Sequence, residues 1–116
     1  MKIPKMDVES RSWFESLVPE APDVTTRPMF GNLAAFVNGN MFLGLLGQQV
    51  AVRLPEEQRE ELLKQKGAAP FEPMKGRPMK EYVVLPETWK KSRAKAEKWV
   101  DRSLAFASTL PPKTKK

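Results

Sequence analysis

Four cations near the C-terminus, Lys91, Lys95, Lys98 and Arg102, recur at steps of four, three and four. On a helix that spacing gathers them on one face over about three turns. Such a stripe could follow a phosphate backbone, each contact neutralising a charge and releasing a counterion, with a log–log salt slope no steeper than about −4. The same stripe also serves simply as a solvated face that keeps a protein soluble. It lacks a clustered polar set for reading base edges, so any nucleic-acid contact is expected to be nonspecific. Arg27 and Arg77 each open an Arg-Pro-Met tripeptide with unlike flanks. They would form an anion pocket if their hairpins were neighbours, and otherwise each anchors a turn or pairs with a carboxylate. Glu81 precedes Tyr82, the one tyrosine, but adjacent strand residues face opposite sides, so the two are not expected to share a site. Tyr82 is expected as packing with a wet hydroxyl.

What the chain lacks excludes more than these groups offer. Among its 116 residues there is neither cysteine nor histidine. Disulfides, thiolate nucleophiles, imidazole-based triads and Cys- or His-ligated metals are therefore excluded. No glycine-rich phosphate loop, EF-hand loop or Asp-rich cluster appears. The expectation is a protein that is not an enzyme and holds no cofactor and no metal.

The elements that must position these residues begin with Val24 to Leu54, where the runs VTTRPMF, NLAAFV, MFLGLL and QVAVRL read as strands. Asn38-Gly39 between the second and third is a strong hairpin signal, Gly47-Gln48 offers another turn, and Phe30-Gly31 marks a bend. The third run is apolar on both faces, which predicts a central strand covered on both sides or a face that meets a partner, with Gly44 marking close approach by a neighbour. The fourth sets Val50 and Val52 against Ala51 and Arg53, with one covered face expected. Before this sheet, Met6, Trp13, Phe14, Leu17 and Val18 share one face of a short helix, expected to face the core and ended by Pro19 and Pro22. After it, Pro55 opens a second helix that buries Leu62 and Leu63 and stops at Gly67. A hairpin follows, with an edge strand over Phe71 to Met74, a turn at Lys75-Gly76 and a strand over Met79 to Leu85. One last helix, Glu87 to Ser108, carries the basic stripe outside and Trp89, Ala96, Trp99, Val100 and Ser103 inside.

The segments Arg27-Pro28-Met29-Phe30-Gly31, Asn38-Gly39-Asn40-Met41-Phe42, Gly67-Ala68-Ala69-Pro70-Phe71 and Gly76-Arg77-Pro78-Met79 through Tyr82 to Leu85-Pro86 together resemble the N-terminal domain of the TfoX/Sxy family, over nearly the whole chain. Arg27, Met29, Phe30, Gly31, Gly76, Arg77, Met79 and Tyr82 carry the resemblance. It implies a two-layer α+β domain with helices on an antiparallel sheet. Members with a second, C-terminal domain are competence regulators that act as transcriptional co-regulators, and the resemblance supplies no catalytic residue. The 116 residues hold no such second domain, so a stand-alone N-terminal module is expected.

Together these readings predict one α+β domain over residues 1–110: three helices on an antiparallel sheet of five or six strands, ordered helix, meander of three or four strands, helix, hairpin, helix. A disordered basic tail is expected over residues 111–116. Charge is uneven: six Lys and Arg stand against eight Asp and Glu through Glu60, and fourteen against six beyond it. With no signal-like or membrane-spanning run, a cytoplasmic protein that uses no membrane is expected. The expected function is regulatory protein–protein contact, through a sheet edge or an exposed patch and with a homodimer as one form. Nonspecific nucleic-acid binding by the last helix is the alternative.

Overall fold

The computed structural model describes residues 8–29, 32–72 and 81–111. Helix α1, Val8–Leu17, precedes strands β1, Val24–Met29, β2, Asn32–Val37, β3, Asn40–Leu46, and β4, Gln49–Arg53. Helix α2, Glu56–Leu63, then leads to β5, Ala69–Pro70, and β6, Tyr82–Val84. A 3₁₀ turn, Glu87–Lys91, and helix α3, Arg93–Ser108, close the described chain. The six strands form one antiparallel sheet in the order β1-β2-β3-β4-β6-β5. The α+β architecture expected from the sequence is the one observed.

Local residue choice explains the meander. Asn38 and Gly39 both take positive φ, 51° and 81°, as a type I′ hairpin turn requires. The predicted bend at Phe30-Gly31 and turn at Lys75-Gly76 lie outside the described residues. Between β2 and β3 the register slips, since Ala35 pairs with Leu43 but Phe36 pairs with Met41. Phe42 is the extra residue of this bulge, which breaks the strict two-residue alternation. Phe42 and its neighbour Leu43 are thereby both fully buried in the main core.

That core lies between the sheet and the helices, joining Trp13, Phe14 and Leu17 of α1, Leu62 of α2, Trp89 of the 3₁₀ turn and Ala96, Trp99, Val100 and Ala107 of α3 to strand residues that include Val50, Val52 and Val83. The other sheet face carries a smaller cluster of Leu46, Ala51, Phe71, Tyr82 and Val84, with Met41 packed against it. A Cβ on Gly44 would stand 2.5 Å from the Met41 methyl carbon, the close approach expected there. β4 is covered on both faces, because Ala51 is as buried as Val50 and Val52; its small side chain fits beneath Tyr82 and Met41.

Four further boundaries and burials differ from expectation. Pro55 caps α2 instead of occupying its first turn, and the helix ends at Leu63, before Gly67. Leu62 is buried, yet Leu63 is 40% exposed, because consecutive helix positions turn by about 100° and one face meets the core. The edge strand is Ala69–Pro70, two residues earlier than predicted and very short. Phe71 instead turns its ring into the smaller cluster, 6.2 Å from that of Tyr82. Finally, Glu87 to Ser108 is not one helix: Ser92, at φ −127° and ψ 67°, separates the 3₁₀ turn from α3.

Candidate functional site

The break at Ser92 divides the cationic stripe. Lys91 ends the 3₁₀ turn and its side chain lies outside the described positions, while Lys95, Lys98 and Arg102 belong to α3. Arg102 is already engaged, its Nη1 3.2 Å from Glu61 Oε2 and its guanidinium carbon 4.5 Å from the Trp99 ring centroid. Lys95 and Lys98 remain as exposed cations on this face. The stripe is thus no continuous track over three turns, because a helix that changes its winding no longer stacks residues four apart.

Arg27 lies exposed on the outer sheet face, with its guanidinium 5.6 Å from the Phe36 ring centroid. Arg77, Gly76, Met79, Phe30 and Gly31 lie outside the described residues, and Met29 is described by its backbone alone. Tyr82 and Glu81 share a neighbour, Arg53, although strand alternation is expected to keep them apart; β6 begins at Tyr82 and Glu81 sits in the turn before it. Arg53 joins them: it bonds Glu81 Oε1 through Nη2 at 2.6 Å, donates from Nη1 to the Met41 carbonyl at 3.4 Å, and lies 5.9 Å from the Tyr82 ring centroid. The Tyr82 hydroxyl donates to the same carbonyl at 3.0 Å. Burial pushes this hydroxyl up to about 12, with Arg53 lowering and Glu81 raising it. A phenol so hard to ionise is a poor general base near neutral pH, and the group reads as a polar clasp across β3, β4 and β6.

A cleft of about 680 Å³ opens elsewhere, between Glu9, Ser12, Trp13 and Ser16 of α1 and Glu87, Thr88 and Lys90 of the 3₁₀ turn. On α1 those positions fall at i, i+3, i+4 and i+7, so one helix face supplies the wall. Lys90 is largely buried, its Nζ 3.5 Å from Glu9 Oε1, 3.3 Å from Ser10 Oγ and 5.8 Å from the Trp13 ring centroid. Trp13 is buried as expected, but it also lines this cleft, and its indole N–H finds no hydrogen-bond partner among the described residues. Neither Lys90 nor Glu87 stood out in the sequence. The pairing of Lys90 with Glu9 spans the chain and leaves no local periodicity.

The sheet edges offer little to a strand-adding partner. On β1 the Val24 N–H donates to the Ala21 carbonyl at 3.1 Å and so faces away from β2. Ladder alternation turns the nitrogens of Thr26 and Pro28 to that same outer edge, where proline has no hydrogen to give. On β5 the Phe71 N–H donates inward to the Tyr82 carbonyl at 3.4 Å, which turns the Pro70 nitrogen outward. Each edge therefore ends in a proline, a known guard against strand addition.

Comparison with known proteins places the profile of the TfoX N-terminal domain on residues 15–107. A comparison with curated proteins finds no match.

Proposed function

The chain belongs to the TfoX N-terminal domain family, and from that premise we propose that it is a non-enzymatic module acting by protein–protein contact in a regulatory setting, of the competence and transcription co-regulator kind. The family match over most of the chain carries this reading. Around it, three pairs of charged groups are committed to one another: Arg53 to Glu81, Lys90 to Glu9, Arg102 to Glu61. The guarded sheet edges direct contact to the helical layer and the cleft, away from strand addition. Affinity purification with the full chain as bait, at low and high salt, tests the reading. A protein partner retained at both supports it, whereas retention of nothing, or only of nucleic acid that leaves at high salt, contradicts it.

Nucleic-acid binding through the last helix is the second reading. It rests on Lys95 and Lys98, the exposed cations of α3's stripe.

A further inference from the structure

We propose that the cleft between α1 and the 3₁₀ turn seats a basic side chain, arginine or lysine, presented by a partner protein. This rests on the contact function above and names the surface and the chemistry it would use. The charge layout comes first. Among the described residues, two carboxylates, Glu9 and Glu87, line the cleft against one ammonium, Lys90, and Glu9 already neutralises that ammonium at 3.5 Å. Glu87 on the facing wall is exposed and makes no ion pair among the described residues. Over its described lining residues the cleft is acidic, although the chain's net charge is +6, and a cationic guest complements it.

Of the remaining lining, the Trp13 ring and two hydroxyls suit a cation, while the Trp13 indole N–H, unpartnered among the described residues, does not. Trp13, buried in the core but bordering the cleft, has the ring type that attracts cations best, and Lys90 already lies 5.8 Å from its centroid. That separation is near the roughly 6 Å limit of such contacts, so a better-placed cation would gain where Lys90 gains little. The Ser12 and Thr88 hydroxyls can accept the spare N–H donors of a guanidinium. The volume of about 680 Å³ lies within the ordinary range of ligand sites, roughly 300–1,000 Å³. Among the described lining residues, a carboxylate or phosphate guest would face Glu9 and Glu87, with the already paired Lys90 ammonium and the Trp13 indole N–H to hold it.

Titration of the isotopically labelled full chain, read at the assigned Trp13 indole resonance, tests the proposal with N-acetyl-arginine amide and, as an anionic control, N-acetyl-glutamate. A saturable shift with the arginine probe and none with the glutamate probe is expected. Glu87→Gln, an exposed and isosteric change, should weaken the arginine probe by about two- to fivefold, the worth of one partly exposed charge pair. Lys90→Met keeps the apolar stem while removing the resident ammonium, and should tighten the arginine probe by a similar factor. Binding of the glutamate probe that vanishes in Lys90→Met would overturn the assignment in favour of an anion seat. Indifference of wild type and Lys90→Met alike to the arginine probe would remove it outright. A cleft that ignores the probe in a chain that still retains a protein partner at high salt would fail this inference alone and leave the contact function standing.

Discussion

Ser103 holds two parts of the sheet with one hydroxyl, donating to the Phe42 carbonyl at 2.6 Å and accepting the Arg53 N–H at 3.1 Å. Phe42 is the bulge residue, so its carbonyl lacks an ordinary ladder position. Removing the hydroxyl leaves both groups short of a partner, and a buried unsatisfied group costs about 1–3 kcal/mol. Ser103→Ala should therefore lower unfolding stability by about that amount, measured by urea denaturation, whereas exposed Ser108→Ala should change it little. Tyr82 makes the second residue-scale prediction. Its hydroxyl is pushed up from 10.0 to about 12 in the folded chain, so the folded state keeps the proton after the unfolded state has lost it. Stability is then whole below pH 10 and falls between about pH 10 and 12, by roughly 2 kcal/mol in all. The difference between wild type and Tyr82→Phe in denaturation across that window isolates the effect, and tyrosinate absorbance rising near pH 10 in the folded protein would contradict it.

The strands and helices make their own predictions. If Pro28 guards the β1 edge, Pro28→Thr restores an outward N–H and should raise self-association in sedimentation measurements, at unchanged monomer fold. If α3 touches nucleic acid, the exposed Lys95 and Lys98 contribute about −2 to the log–log salt slope, at roughly 0.9 per phosphate. Lys95→Glu with Lys98→Glu should then abolish retention; a slope near −4 would instead show that the whole stripe is used. Much at this scale was legible in the chain. Asn38-Gly39, the alternating runs and the prolines placed the helices, the meander and the late hairpin. The break at Ser92 was not legible, because Trp89, Ala96 and Trp99 keep nearly helical spacing across it and all reach the core. Arg53 was equally hidden: its contacts with Glu81 and Tyr82 depend on β6 pairing with β4, strands separated by α2 and β5.

At the scale of the whole molecule, the sheet is apolar on both faces, closed by proline at both edges, and roofed by helices on one side. Those features turn strand addition away and leave the helical layer, with its cleft, and the outer sheet face as the surfaces open to solvent. The family and the fold could be read from turn residues and short segments, since both depend on local patterns that sequence preserves. The cleft could not, because Glu9 and Lys90 become neighbours only once α1 and the 3₁₀ turn pack on the same sheet. The measurement that bears most directly on contact as this protein's mode of action is sedimentation of the tagged chain in nuclease-treated extract at high salt, beside the purified chain. A particle larger than the purified protein is the predicted result; identical sedimentation of the two as a single chain would contradict it.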